Sequence, residues 1–511
     1  MEPAAATGPA PARRAADAAP GSRAAATGPR APRLDPYWVA GTLFVLYTLL
    51  SVCRYRRMLT MSWDLGIFEQ AVRAYAHLGA PIVDLKGPGT NILGDHFSPV
   101  TALIAPFYRL FPTPVTLLVA QAALFALSAI PVTRLAADRL GRGRGLALGV
   151  AYGLSWGVQR AVDFDFHEIA FAMPLLAFSL EAVVRRRWRA AVLWAVPLVL
   201  VKEDLGITAA AIGVVALIRL RGGGHSPDGV RHDGIRGDRP VRDRHAVALA
   251  VALVGFGLAA TAVSLGVIIP SFNNGGSYDY WTKLSGGDGP APVIPLDTAV
   301  RTLLWVLLPT TGLLALRSPL LIAALPTLAW RFASHDDHYW TTDWHYSAVL
   351  MPVVFIALTD ALTGAADSRR PWLRSYAHHL PAAALAAALA LSTSLPLAAL
   401  TQAATYRVPE SVRAAERLLD RIPDGATVES DVPPISRLAN RCRVFWYGDT
   451  RGMAPDYIAQ RVPDGRNLVD LPADAERMHP GARYALMGVE GGYVVLKKKG
   501  RQGKAGSAPA P

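Results

Sequence analysis

Apolar runs of roughly 20 residues, long enough for a helix to cross a bilayer, dominate the chain between positions 37 and 402. Short charged segments separate the runs. The pattern predicts a mainly α fold: a polytopic bundle of about 11 transmembrane helices. The spans are predicted at Tyr37–Cys53, Val115–Ala137, Leu146–Val158, Ile169–Val184, Ala190–Val201, Leu205–Leu220, Ala246–Ile269, Ala299–Leu316, Leu320–Ala333, Ala348–Leu362 and Ala382–Leu400.

A long polar segment, residues 54–114, separates the first span from the second and is predicted to form the first outer loop. It contains an amphipathic helix, Asp64–Leu78, and an apolar piece, Phe97–Phe111, that prolines interrupt. Because this piece is too short for a span, we expect it to be an interfacial or re-entrant helix.

Three segments have no apolar periodicity and are predicted to be disordered. They are a cytoplasmic tail at 1–36, a cytoplasmic linker at 221–245 inside the transmembrane region 37–402, and a tail at 501–511. The character of the chain also changes after residue 402. An amphipathic pattern at Val408–Leu419 and several β-rich segments predict a small α/β domain at 403–500.

Charge sets the expected orientation of the bundle. The chain carries a net charge of +13, and only 18% of its 511 residues are charged, against about 25% in soluble proteins. The arginines cluster in short segments between apolar runs, as the positive-inside rule requires, so a nucleic-acid partner is not expected. This threading places the N-terminus in the cytoplasm and the α/β domain, with the C-terminus, outside the cell membrane. The first outer loop is an exception, because it also holds several basic residues.

Ionisable side chains gather at the ends of the apolar runs, where a membrane protein has little reason to place them unless they function there. If the threading is correct, all of these clusters lie on the outer side and form one polar site. The candidate residues are Trp63, Asp64, Glu69, Gln70, Asp95, His96, Asp163, Asp165, His167, Glu168, Lys202, Glu203, Asp204, His345 and Tyr346.

Asp64, Asp95 and His96 are the candidate catalytic residues. A carboxylate at the outer surface could act as a general base toward a hydroxyl or ligate a divalent cation. The alternative for Asp64 is a helix N-cap, a position that aspartate favours. For Asp95 and His96 it is an ordinary turn with a neighbouring interfacial histidine.

The other candidates are predicted to contact substrate. In an extended segment, Asp163, Asp165 and His167 would face one way and form a metal- or phosphate-binding edge; Glu168 follows them in the same motif. Lys202 could neutralise a phosphate. The alternatives are a polar loop with interfacial phenylalanines and, for Lys202-Glu203-Asp204, a self-compensating turn. A divalent cation is possible, but no ligand set is defined.

The motifs W-D-L-G-I-F-E-Q, G-D-H-F-S-P, D-F-D-F-H-E and V-K-E-D-L resemble those of a bacterial multi-pass membrane family known only as a domain of unknown function. That family is in turn similar to the GT-C membrane glycosyltransferases, whose donor is a polyprenyl-phosphate sugar. The resemblance implies that Asp64 is the base and that Lys202 or first-loop arginines contact the donor phosphate. The Asp-Glu or Asp-Asp pair usual in GT-C enzymes is absent, since Leu65 follows Asp64.

The expected function is therefore transfer of a sugar from a lipid-linked donor in the bilayer to an extracytoplasmic acceptor of the cell envelope. Two alternatives remain open. One is a lipid or polyol transporter or flippase, which would favour inverted repeats and charges in the middle of spans. The other is a non-catalytic membrane scaffold or sensor.

Overall fold

The computed structural model describes residues 34–61, 63–222, 239–285, 292–463, 465 and 467–500. The predicted tails at 1–36 and 501–511 and the linker at 221–245 lie wholly or largely outside the described residues. The helices are α1 (Asp35–Arg56), α2 (Asp64–Ala76), α3 (Ala105–Leu110), α4 (Pro114–Leu140), α5 (Arg142–Gly153), α6 (Trp156–Asp163), α7 (Ala172–Val184), α8 (Trp188–Ala195), α9 (Leu205–Arg221), α10 (Arg239–Val263), α11 (Ile269–Phe272), α12 (Trp281–Ser285), α13 (Leu296–Thr311), α14 (Leu325–Ala333), α15 (Leu350–Ala366), α16 (Pro371–Ser392), α17 (Glu410–Leu419), α18 (Val432–Leu438) and α19 (Leu471–Met478).

The chain is mainly helical, as predicted. Among the described residues, four helical stretches are both long and apolar enough to cross a membrane: Asp35–Arg56, Pro114–Leu140, Arg244–Phe272 and His345–Ala366. Most of the other predicted spans fall on shorter helices, several of them broken by 3-10 turns. The number of 11 spans stays a prediction.

Small residues allow the close packing of α9 against α10. A Cβ atom added at Gly206 would lie 2.5 Å from the carbonyl oxygen of Gly257, so the two backbones touch. Backbone approach of this kind is a common way for helices to associate in membranes. Next to it, Thr261 donates a hydrogen bond to the Glu203 carbonyl oxygen at 2.8 Å. The contact therefore fixes the turn that carries Lys202 to Asp204.

Helix α2 is more buried than an amphipathic surface helix. Its buried residues include polar ones, among them Glu69 and Gln70. A Cβ atom added at Gly66 would lie 2.2 Å from Cγ2 of Ile435, so the α18 region packs directly onto α2. The predicted amphipathic helix exists, but its polar face is covered by a distant part of the chain.

The predicted interfacial piece Phe97–Phe111 forms a 3-10 helix at Pro99–Ile104 followed by α3. Its large apolar side chains Leu103, Phe107 and Leu110 are exposed. Such an exposed apolar face suits a segment that lies against lipid, and its depth in the bilayer stays a prediction.

The C-terminal residues form a five-stranded sheet with β1 (Thr427–Ser430), β2 (Arg443–Trp446), β3 (Tyr457–Arg461), β4 (Tyr484–Glu490) and β5 (Tyr493–Lys498). The strand order is β2-β1-β3-β5-β4. Strand β1 is parallel to β2 and β3, whereas β5 is antiparallel to β3 and β4. The sequence indicated α17, β1, β2 and β5. The domain limits 403–500 and their side of the membrane stay predictions.

This sheet is clamped onto the first outer loop. The Arg443 guanidinium donates to both oxygens of Asp84, at 2.7 and 2.9 Å. Gln70 of α2 donates to the Val444 carbonyl oxygen at 2.9 Å, and its own side-chain oxygen accepts from the Leu85 amide at 3.2 Å. These contacts hold β2 against α2 and the first outer loop.

Candidate functional site

A cavity of about 700 Å³ lies where the first outer loop, the turn before α9, the segment around α12 and the carboxyl end of β2 meet. It brings together eight of the residues predicted from sequence. They are Trp63, Asp64, Asp95, His96, His167, Lys202, His345 and Tyr346. Five separate segments of the sequence thus contribute to one polar space.

Asp64 enters this space from the amino end of α2. The helix begins at Asp64, and Trp63 occupies the cap position without a side-chain capping hydrogen bond. The N-cap interpretation of Asp64 therefore does not hold. A carboxylate in the first turn is still favoured by the positive end of the helix dipole.

Asp95 and His96 are held by partners from other segments. Asp95 pairs with Lys86, with 3.1 Å between Oδ2 and Nζ. The His96 Nδ1 atom lies 2.8 Å from Oε1 of Glu203, and the imidazole packs on Tyr280 with ring centroids 4.4 Å apart. Burial lowers the pKa of His96, but the Glu203 carboxylate outweighs it and raises the pKa overall. His96 is therefore a fixed part of the wall.

Lys202 lies at the wall beside the buried carboxylate of Glu168. Glu168 is fully buried; its Oε2 is 2.7 Å from Nδ1 of His167, and its Oε1 is 3.6 Å from Nζ of Lys202. Burial opposes ionisation of Glu168, but His167 and Lys202 together hold its pKa at about 2. Burial also opposes the charge on Lys202, yet the acidic groups around it, first Glu168 and then Glu203, raise its pKa. Lys202 thus remains a cation.

Two histidines stack at the same wall. The His167 and His345 rings are 3.9 Å apart at 28°, and Tyr346 contacts His345 with centroids 4.3 Å apart. The Nδ1 atom of His345 is buried and has no hydrogen-bond partner among the described residues. These rings give the cavity a flat aromatic wall next to Lys202.

Seven predicted residues lie outside the cavity lining. Two of them are on α2. Glu69 is fully buried and accepts a hydrogen bond from Tyr108 at 2.9 Å, and burial raises its pKa to about 8. Gln70 bonds to the β2 backbone. Both fasten α2 to its surroundings, which corrects their predicted placement among the substrate-contacting residues.

The predicted extended edge from Asp163 to His167 does not form. Asp163 is the last residue of α6 and pairs with Arg54 at 2.9 Å. Asp165 has a positive φ of 72°, which breaks the alternation of an extended segment. Its carboxylate accepts from the Met61 amide at 2.8 Å, and burial raises its pKa to about 7. Of this group only His167 reaches the cavity, while Glu168 supports it from behind.

Glu203 and Asp204 also lie behind the wall rather than on it. The Glu203 carboxylate accepts from the Phe97 amide at 3.2 Å and the Tyr278 hydroxyl at 2.9 Å, besides contacting His96. Asp204 is half-buried in the same turn, and burial raises its pKa to about 6. The charges of Lys202, Glu203 and Asp204 partly balance one another within this turn, which was the alternative interpretation of the motif. Lys202 nevertheless faces the cavity.

Several lining residues were not predicted. They are Lys86, Asp279, Tyr280, Lys283, Tyr339, Trp446, Asp449 and Arg451, together with smaller and apolar residues. Lys86 was noted only as one of the basic residues of the first loop. The polar residues after the β-rich segment Arg443–Tyr447 were a usable signal, because ligands often bind at the carboxyl ends of parallel strands.

One candidate group of metal-ligating side chains occurs among the described residues, and it lies outside the cavity lining. In the part of the chain that the structure describes, the side chains close enough to share an ion are those of Asp336, Asp337 and His338. None of the three lines the cavity, and Asp336 is already bound to Lys283 at 3.0 Å.

Comparison with known proteins adds the family context. The family model described as predicted membrane protein (DUF2079) matches residues 54–468. The chain is similar in structure to ArnT from Cupriavidus metallidurans bound to undecaprenyl phosphate, with a TM-score of 0.54 and 13% identity over 90% of this chain and 98% of that one. It is also matched to the archaeal oligosaccharyltransferase AglB from Archaeoglobus fulgidus in complex with an inhibitory peptide and a dolichol-phosphate, with a TM-score of 0.39 and 11% identity over 88% and 71% of the two chains. A search of curated proteins found no match. The likeness to ArnT shows the fold of GT-C membrane glycosyltransferases.

Proposed function

The chain belongs to the DUF2079 family of predicted membrane proteins, and we propose that it is a glycosyltransferase that moves a sugar from a polyprenyl-phosphate donor to an extracytoplasmic acceptor. The observation that carries the proposal is the cavity itself. It places a carboxylate, Asp64, in one space with cationic and aromatic side chains, within a GT-C fold. Fold alone does not assign an activity, so the argument depends on these side chains.

The donor phosphate is assigned to the lysines of the cavity. Lys202, Lys86 and Lys283 all line it, and each has an acidic partner: Glu168, Asp95 and Asp336 respectively. These partners hold the lysines in place before a ligand arrives. A phosphate offers each lysine a second anionic partner, and lysine binds phosphate as a compact point charge.

Asp64 is assigned as the general base. The bond between the anomeric carbon and the donor phosphate oxygen breaks while a bond from the acceptor hydroxyl oxygen to that carbon forms. The hydroxyl proton goes to the Asp64 carboxylate, and polyprenyl phosphate leaves with the electron pair of the broken bond. A positioned base of this kind typically contributes about 10²–10⁴-fold to the rate.

The membrane arrangement belongs to the same proposal. We place the cavity and the α/β domain at 403–500 on the outer side and the N-terminus in the cytoplasm, with about 11 spans between them. Asp95 and His96 then line the outer site as supporting groups. Reporter fusions after residue 222 and at the C-terminus test this arrangement: a cytoplasmic C-terminus would contradict it.

The decisive experiment is Asp64→Asn. We expect consumption of a polyprenyl-phosphate hexose by membranes containing the variant to fall by about 10²–10⁴-fold, because an amide cannot accept the proton. Asp297→Asn is the matched control, since Asp297 also lies in the first turn of a helix but is exposed. Wild-type turnover by the Asp64 variant would remove the base assignment and favour a transporter or scaffold. Rescue by excess divalent cation would indicate a metal ligand instead.

A further inference from the structure

One side of the cavity has no role in the proposed binding of the sugar donor. It is formed by Trp63 from the first outer loop and by Trp446, Asp449 and Arg451 from the carboxyl end of β2 and the following loop. We propose that these four residues bind the acceptor and that the acceptor is a saccharide. This inference rests on the proposed function, because it names the substrate that receives the sugar.

The two tryptophans form an aromatic corner. Their ring centroids are 4.7 Å apart at an interplanar angle of 57°, and both rings line the cavity. The Nζ atom of Lys86 lies 5.2 Å from the Trp63 ring centroid and so helps to fix that ring. The C–H faces of a pyranose pack against aromatic rings, and a fixed ring loses little conformational entropy when it does so.

The polar partners beside this corner are those that sugar hydroxyls need. Asp449 accepts hydrogen bonds and Arg451 donates them in a planar fork. The side chains of both are 47% exposed, and their nearest charged atoms are 4.0 Å apart. Neither is therefore consumed by a tight internal pair. A phosphate would be repelled by Asp449, and a lipid tail would leave both charged groups unsatisfied.

The loop that carries these groups is held in an unusual conformation. Arg451 has a positive φ of 49°, a left-handed conformation that costs energy for a residue with a side chain. The buried carboxylate of Glu429 fixes the loop by accepting from the Gly448 amide at 2.6 Å. Glu429 is itself held by His479, with 2.6 Å between Oε2 and Nε2. The loop is thus preorganised toward the cavity.

The sheet topology supports the same location. Strand β2 lies at the edge of the sheet and is parallel to its neighbour β1. Ligands of open α/β sheets often bind outside the carboxyl ends of parallel strands. Trp446 is the last residue of β2, and the loop with Asp449 and Arg451 follows directly.

The test uses the full chain in lipid nanodiscs. Binding of neutral tetrasaccharides of glucose, mannose, galactose and arabinose is measured by calorimetry for the wild type, Trp446→Ala, Trp446→Phe and Asp449→Asn. We expect the wild type to bind at least one probe and Trp446→Ala to weaken that binding about tenfold or more. Trp446→Phe keeps a flat ring and should retain part of the affinity. Trp372→Ala, an exposed tryptophan on α16, is the control and should bind as the wild type does.

Undecaprenyl phosphate binding, measured on the same samples, separates this inference from the proposed function. We expect the Trp446 variants to bind this lipid normally, since it is assigned to the lysines. A wild type that binds the lipid but no saccharide overturns the saccharide acceptor and leaves the transferase proposal standing. Saccharide binding that both Trp446 variants retain in full overturns the subsite. Binding of peptides that depends on Trp446 would assign the acceptor to a different class. If the alanine variant does not fold, Trp446→Phe and Asp449→Asn still decide the question.

Discussion

Replacing Glu203 by Gln is predicted to destabilise the wall of the cavity, although Glu203 does not line it. In the Gln variant one side-chain oxygen can still contact His96 and Tyr278, which both meet Oε1. The new amide group, however, faces the Phe97 backbone N–H, which donates to Oε2 in the wild type. This side-chain amide and the Phe97 N–H, both hydrogen-bond donors, then face each other in the protein interior. His96 also loses the negative charge beside it.

The size of the effect follows from the electrostatics of this turn. Burial raises the pKa of Glu203, but His96 and Lys202 outweigh burial and lower it from 4.5 to about 2. Removing one partner of a buried ion pair typically costs about 3–5 kcal/mol. We therefore expect the free energy of unfolding to fall by about 3 kcal/mol.

The pH dependence has a defined sign. The depressed pKa of Glu203 gives stability that is present above pH 4.5 and is lost as the pH falls toward 2. The raised pKa of His96 gives stability that is present below pH 6.5 and is lost as the pH rises through the folded value. The difference between wild type and variant should therefore be largest between these two limits.

Denaturant unfolding in mixed micelles at pH 5.5 and at pH 9 measures both the size and the pH dependence. Glu410→Gln is the matched control, because the Glu410 side chain is 68% exposed in its pairs with Arg413 and Arg417; exposed pairs of this kind contribute little. A loss below about 1 kcal/mol for the Glu203 variant at pH 5.5 would refute the argument, because it is too small for a broken buried pair.

Two further predictions concern α2. Gly66→Ala should lower the melting temperature, because the new Cβ meets Ile435 at 2.2 Å and overpacking typically costs about 1–3 kcal/mol; Gly41→Ala, with nothing within 4 Å, should raise it slightly, and equal shifts would contradict the packing. Glu69→Gln should leave stability unchanged below pH 4.5, where the wild-type carboxyl is protonated in the folded and the unfolded chain alike. Since burial raises the pKa of Glu69 from 4.5 to about 8 in the folded chain, wild type should lose stability relative to the variant as the pH rises from 4.5 to 8; parallel pH profiles from thermal unfolding would exclude this protonation state.

The sequence was sufficient to locate the site at the level of motifs. Asp64, Asp95 and Lys202 are far apart in the chain. Each lies at the end of an apolar run, and the threading assigned all three to the same side of the membrane. We therefore predicted that they meet. The structure places all three at one cavity. Membrane geometry restricts where such groups can lie, and this restriction made the inference possible.

Which neighbour in each motif faces the cavity could not be predicted. In the turn before α9, Lys202 lines the cavity and Glu203 is bound behind it. Their directions depend on partners such as Tyr278, which is on a different segment. The prediction of an extended edge around Asp165 was wrong for a local reason. The alternation rule assumes extended backbone, whereas Asp165 has a positive φ, which is rare for a residue with a side chain.

The C-terminal contribution was missed because it is non-local. The sequence predicted β2 but gave no indication that its carboxyl end would meet α2. That meeting depends on bonds such as Arg443 to Asp84 and on the space left by Gly66. Helix α2 was predicted as an amphipathic surface element for the same reason, since periodicity alone cannot reveal a covering partner.

The clamp between the sheet and the first loop has a consequence for biogenesis. Gln70 and Val444 are separated by 374 positions in the chain, so the bond between them can form only after nearly all of the protein has been synthesised. Contacts of such long sequence separation form late, because loop closure must precede them. The helices can insert in order while the cavity still lacks a wall. The cavity would thus be completed in a late step, when the sheet folds onto a loop that was synthesised near the start of the chain.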